Sequence, residues 1–383
     1  MLGVLLSFWV ARNKGFMWIK PKLVSVVCGT ATVFSASVVG ISATRLENST
    51  TKKEISNSLI AFLKDNVKLK NVLLLITVVG IAVVVRFCFR YVVNKEIFFV
   101  DKSESTHLVG NGIISDSIEI NGLRGRNLKL KNPTSKELEG KCVLIFLGND
   151  VSINDVLDSL VKYEKEETSK QSTYQYKPLK VLLDKGATLV GADYRGTGNS
   201  DPVSKLSNME KILYKDGEKI YDCVNGELGY ESENIIFWAH SIGGPVAAHA
   251  LAHATKGNKK SGGLILASPI PSLYEGVSRS GYSKSLGLIA KMGSGYNLNT
   301  EENLSKVENK DVPIFICSGD SEDKFSIEET KLDEKITKMG FKNVKTNISE
   351  KCWHGNLCKM FFPGYDKESE YTNYIENSLA NGS

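Results

Sequence analysis

The chain carries little that would commit it to a metal, a cofactor or a nucleic acid. It has five histidines and seven cysteines in 383 residues, and no C-x-x-C pair of the kind that opens a structural zinc site. Cys352-x-His354 with Cys358 stands alone, without a second ligand pair. No glycine-rich phosphate loop is present, so nucleotide cofactors have no cradle. Net charge is only +5, from 48 basic and 43 acidic residues interleaved along the chain. A nucleic-acid surface would need clustered Lys and Arg. Internal repeats and low-complexity tracts are also missing, which excludes a solenoid. The cysteines (Cys28, Cys88, Cys142, Cys223, Cys317, Cys352 and Cys358) are odd in number, scattered and often set in apolar runs. They read as reduced, mostly buried thiols, which favours a reducing compartment for the main domain. No cofactor, no metal and no nucleic-acid partner are expected.

What is present divides into two materials. Residues 1–105 form a hydrophobic region with two candidate transmembrane helices, about 23–43 and 72–91. The first, Leu23 to Ala43, is 21 residues without a charge, long enough to cross a hydrocarbon core of roughly 30 Å. The second has an uncharged run of 14 residues from Val72 before Arg86, followed by the aromatic and basic mixture of Phe87, Phe89, Arg90 and Tyr91. Such a mixture suits a membrane interface, where arginine snorkels outward. A two-helix membrane hairpin is the leading reading. A signal peptide with its apolar part at Leu23 to Phe34, and burial or surface-lying helices, are the alternatives. Basic residues flank both sides of the hairpin about equally, so charge does not orient it. The free thiols favour a cytosolic catalytic domain on a two-span membrane protein.

From about residue 106 the texture changes to short apolar runs alternating with amphipathic segments. Ile113 to Ile120 and Gly122 to Lys131 alternate as a pair of antiparallel strands would. Lys141 to Leu147, Ala187 to Ala192, Ile235 to Trp238, Gly263 to Ala267 and Pro313 to Ser318 read as buried strands. Helical patterns lie between them: Val156 to Lys165, Pro178 to Lys185, Met209 to Leu228, Pro245 to Thr255 and Ile327 to Lys338. This alternation implies an α/β domain over 106–383, a mostly parallel central sheet with helices on both faces.

The most informative stretch is Ile235 to Gly244, where an apolar run enters Ala239-His240-Ser241-Ile242-Gly243 and a helix-like sequence follows. A serine between small residues at a strand-to-helix turn is how a hydroxyl is held at the tip of a sheet. The first small position is usually Gly, so Ala239 departs from that pattern by one methyl. In a parallel sheet chemistry gathers at the carboxyl ends of the strands. Ser241, Asn149, the acidic residues Asp320, Glu322 and Asp323, and His354 all follow such strands, His354 after Val344 to Ser349. The order Ser, acid, His is that of a nucleophile elbow and its partners. His240 is a neighbour in the elbow. His249 and His253, four apart on the following helix, read as surface or packing residues.

Gly191 to Gly198, the run from Asp216-Gly217 through Ile236, and Ala239 to Gly244 together resemble the α/β-hydrolase superfamily over about 108–380. With its hydrophobic N-terminal region the chain also looks like membrane-associated hydrolases of intracellular bacteria. The resemblance implies Ser241 as nucleophile, His354 as general base, and a carboxylate after Gly319 that fixes the imidazole. That acid is Glu322 or, with one inserted residue, Asp323, which Lys324-Phe325 favours. It further implies backbone N–H groups of Asn149 and Ile242 as the oxyanion hole. Asp193-Tyr194-Arg195 would brace the nearby loop, and Asp320 would cap its own. A small cap is expected at about 268–311, its apolar residues including Tyr274, Tyr282, Met292 and Tyr296. A helix packed on the sheet is the plainer alternative there. The function expected is a membrane-anchored serine hydrolase of carboxylic esters or thioesters with lipid-like or acylated substrates, partnered by membrane lipid. The alternatives are a catalytically inactive hydrolase fold serving as a membrane-tethered binding module, and a peptidase.

Overall fold

A computed structural model describes residues 69–98, 112–149, 151–165, 176–279, 296–319, 325–349 and 368–380. The chain divides into two compact units, Met1–Cys88 and Phe89–Ser383. Within the described residues the first helix, α1 (Leu69–Val93), runs into a π-helical segment, Asn94–Phe98.

The second unit is built on eight strands: β1 (Ile113–Ile120), β2 (Leu123–Leu130), β3 (Cys142–Phe146), β4 (Thr188–Ala192), β5 (Ile235–His240), β6 (Gly263–Ala267), β7 (Ile314–Gly319) and β8 (Val344–Ser349). They form one sheet in the order β1-β2-β4-β3-β5-β6-β7-β8. The pairs β1–β2 and β2–β4 are antiparallel; every later pair is parallel. The physical reason is legible residue by residue. β3, β4, β5, β6 and β7 are buried at every position, as continuous apolar runs covered on both faces must be. β1 alternates Ile with Ser, Asp and Glu and lies at the open edge.

Helices α2 (Ile153–Lys165), α3 (Lys177–Asp184), α4 (Met209–Asp222) and α5 (Gly243–Ala254) supply the crossovers from β3 to β6. Beyond β6, α6 (Leu273–Arg279) and α7 (Thr300–Ser305) precede β7, and the pattern from Ile327 to Lys338 is split into α8 (Ile327–Thr330) and α9 (Leu332–Lys338). The break falls at Lys331, whose φ of +50° cannot continue a right-handed helix. α10 (Glu368–Tyr374) places Tyr371 and Tyr374 against Phe315 of β7.

The membrane reading is corrected here. The span expected at 23–43 lies outside the described residues. The span expected at 72–91 falls in α1, but no helix among the described residues is long and apolar enough to cross a membrane. Arg86 and Arg90 interrupt it, and the uncharged stretch Val72–Val85 covers only about 21 Å against roughly 30 Å of hydrocarbon. The following turns are committed to protein: Val93, Asn94 and Phe98 are buried. The expectation of a two-span membrane protein with a cytosolic catalytic domain is thereby overturned.

Candidate active site

β5 sits between β3 and β6 and ends directly at Ser241. Ser241 has φ +54°, in the left-handed region that an L side chain disfavours. Such a residue is strained by about 1–3 kcal/mol and persists only where its surroundings over-determine it. Those surroundings are backbone. Ser241 N donates to Ala267 O at 3.0 Å, and Ser241 O accepts from Gly244 N at 3.1 Å and from Ile270 N at 3.2 Å. α5 then starts at Gly243, where a β-carbon would overlap Phe146 O and stand 2.8 Å from Leu147 O. Only glycine fits so close to another strand's backbone. The extra methyl of Ala239 is accommodated: the residue is fully buried, in register with Phe146 on one side and Leu266 on the other.

The other wall is the turn after β3. Gly148 packs on the elbow's own histidine, since a β-carbon there would lie 2.8 Å from His240 Nδ1. Asn149 and Ile242 line one small pocket together with Tyr194, Ile97 and Phe98. The structure therefore gathers Ser241, Ile242 and Asn149 at one rim of the sheet. Asp323, Glu322, Asp320 and His354 lie outside the described residues. The loop of the acids departs from Gly319 at the end of β7, and that of His354 from Ser349 at the end of β8. The acid loop is closed on its far side by Ile327 N, which donates to Ser318 Oγ at 3.0 Å.

The segment 193–201 is braced by two carboxylates. Asp193 is fully buried, and its Oδ1 accepts from Ile153 N at 2.8 Å while Oδ2 accepts from Asn199 N at 2.9 Å. Burial pushes its pKa up, and those two N–H groups pull it back. Asp216, on α4, receives Arg195 N at 2.9 Å and Arg195 Nε at 2.7 Å. Burial raises its pKa as well, opposed by the guanidinium. Both acids fix a loop; neither lines the pocket beside Asn149 and Ile242.

His249 and His253 each have a carboxylate neighbour. His249 Nε2 lies 3.1 Å from Glu218 Oε1, and His253 Nε2 lies 2.8 Å from Asp222 Oδ1, both across to α4. Among the described residues no group of three or more His, Cys, Asp or Glu is placed to hold a metal. Cys142, Cys223 and Cys317 are buried and form no disulfide. Burial raises the pKa of Cys142 and Cys223, the latter to about 11, so neither is an activated thiolate.

Asn94 and Phe98 near the pocket escape sequence reasoning, and Tyr296, expected only as a cap residue, is their partner. Asn94 is fully buried, and its Nδ2 donates to Lys205 O at 2.7 Å and Ser207 O at 2.9 Å. Tyr296 donates to Asn94 Oδ1 at 2.8 Å. Phe98 meets the Tyr296 ring edge-on at a centroid distance of 5.9 Å. These contacts join positions some 200 residues apart, and no local pattern announces them.

Residues 169–306 match the family described as Serine aminopeptidase, S33. A stretch of 135 residues, 35% of the chain, is 27% identical to a multifunctional-autoprocessing repeats-in-toxin protein of Vibrio vulnificus. The chain spans only 2% of that protein's length. Among solved structures, an alpha-beta hydrolase (ABH) from Vibrio vulnificus superposes with a TM-score of 0.51 at 21% identity, covering 70% of this chain and 82% of the other. EstE5, soaked with ethyl alcohol, superposes with a TM-score of 0.50 at 13% identity, covering 78% and 92%. The chain thus has the α/β-hydrolase fold, by its sheet order and its likeness to these solved structures, and residues 169–306 are similar to that hydrolase family.

Proposed function

We propose that this protein is a serine hydrolase of carboxylic ester or thioester bonds. The observation that carries the reading is the left-handed backbone at Ser241, held between β5 and α5. A hydroxyl presented this way gains nothing for stability and is what acyl transfer requires. Ser241 Oγ attacks the substrate carbonyl carbon while His354 accepts its proton. Asp323, or Glu322 in its place, orients the imidazole and stabilises the imidazolium. The N–H groups of Asn149 and Ile242 receive the developing oxyanion. Collapse expels an alcohol or thiol, which takes the proton from His354, and leaves an acyl-serine. Water, deprotonated by the same histidine, then releases the carboxylic acid and restores Ser241.

Strand geometry supports the assignment of partners. β7 lies two strands from β5 and β8 three, which is about 10 Å and 14 Å at roughly 4.8 Å per strand. Four residues from Gly319 to Asp323 reach about 13 Å, and five from Ser349 to His354 about 17 Å. Both loops are long enough to meet Ser241.

The ester reading is favoured over an aminopeptidase by the pocket walls. A free peptide amine needs a carboxylate to receive it, and the described walls beside Asn149 and Ile242 offer Ile, Phe, Val, Leu, Tyr and Thr side chains. Hydrolysis of a panel of p-nitrophenyl esters and acyl thioesters tests it. Wild type should turn over at least one class, and Ser241→Ala and His354→Gln should each lose about three orders of magnitude or more. Comparing Asp323→Asn with Glu322→Gln identifies the acid. Undiminished turnover in Ser241→Ala would overturn the reading.

A further inference from the structure

We propose that Ile97 and Phe98, supplied by the segment that precedes the sheet, form the size-selecting wall of the acyl pocket and restrict the enzyme to short acyl groups. The proposal rests on the reading of Ser241 as nucleophile. A carbonyl whose oxygen lies between Asn149 N and Ile242 N has its carbon at Ser241. One substituent of that carbon must therefore run along the walls that flank the two donors. Those walls include Ile97 and Phe98, and the space they leave is about 20 Å³. Among the described residues that is a narrow space, close to the least that holds one water-sized group, so a short acyl group fits it more readily than a long one.

The wall is anchored rather than resting on a movable side chain. Phe98 is 3% exposed and packs edge-on against Tyr296, which is 1% exposed. Tyr296 is held through its hydroxyl, which lies 2.7 Å from Ser207 O and accepts from Met209 N at 3.3 Å. The Arg90 guanidinium covers the Tyr296 ring at 5.5 Å. One helical turn from Phe98, Asn94 is locked by Lys205 O, Ser207 O and Tyr296. The segment 90–98 therefore has one seat, and its two apolar side chains are carried to the pocket by that seat. A wall fixed in this way discriminates by exclusion, and one methylene in an apolar pocket is worth about 10–200-fold.

The test uses the full chain and two phosphonofluoridate probes, one with methyl on phosphorus and one with octyl. In each, Ser241 Oγ bonds to phosphorus, fluoride leaves, and the serine proton is taken up by His354. The rate of labelling at Ser241 is measured for wild type, Phe98→Leu and Ile97→Ala, with folding checked by thermal unfolding. Phe98→Leu keeps an apolar plug, and Ile97 is only half-buried, so the two substitutions put different loads on the fold. The expected result is an octyl-to-methyl rate ratio well below one in wild type, rising at least tenfold in one or both variants. Labelling at Ser241 with the ratio unchanged within twofold in both folded variants overturns the wall. No labelling of Ser241 by either probe in folded wild type instead overturns the nucleophile, and the wall with it.

Discussion

The elbow and the N-terminal wall of the pocket face each other but are held by different physics. At the elbow, backbone does the work. Ser241 is forced into a left-handed conformation by three backbone hydrogen bonds, and Gly243 touches the carbonyls of Phe146 and Leu147. At the wall, side chains do it. Asn94, Phe98 and Tyr296 meet through hydrogen bonds and ring packing across about 200 residues of sequence. The first arrangement tolerates almost no added atom. The second tolerates changes of size and responds by changing the pocket's volume.

The comparison predicts an ordered set of effects. The largest is at Gly243. Gly243→Val places branched carbons against fixed backbone, and overpacking of this kind costs about 1–3 kcal/mol and more where nothing can move. Urea unfolding should show at least that loss, with ester turnover abolished. If the variant folds and works normally, the close approach of α5 to β3 is wrong. Next is Asn94→Ala, which strips partners from the part-buried Lys205 and Ser207 carbonyls and the Tyr296 hydroxyl. It should destabilise by about 1–3 kcal/mol without removing reactivity at Ser241, which separates the wall from the elbow. The smallest effect has the opposite sign. Ser241→Gly relieves a left-handed L residue at about 1–2 kcal/mol but adds chain entropy to the unfolded state. A net gain of about 0.5–1 kcal/mol in thermal or urea unfolding is expected, together with complete loss of turnover. Destabilisation instead would mean that the elbow is unstrained.

The same contrast explains what could be read from the chain. All eight strands are legible, β1, β6 and β8 to the residue, because buried parallel strands are continuous apolar runs and the edge hairpin alternates. The serine turn is legible because its constraint is local: small residues must stand two positions to either side. The Asp193 and Arg195 brace is legible in outline, but the pairing of Asp216 on α4 with Arg195 is found only in space. Glu218 and Asp222 are likewise invisible as partners of His249 and His253, since helix-to-helix pairing leaves no mark in either helix's own sequence. The membrane reading failed at 72–91 because hydropathy alone cannot tell lipid from protein. Arg86 and Arg90 shorten that run, and Val93, Asn94 and Phe98 bury into the domain that follows. The acid and the histidine lie outside the described residues, so Asp323, Glu322 and His354 rest on loop reach and chain order.

The most direct measurement is peptide mapping by mass spectrometry after exposure of the folded protein to a fluorophosphonate. The account predicts one adduct, on Ser241, absent in Ser241→Ala and slowed at least a hundredfold in His354→Gln. An adduct on any other serine, or an unslowed adduct on Ser241 when His354 is gone, would contradict it.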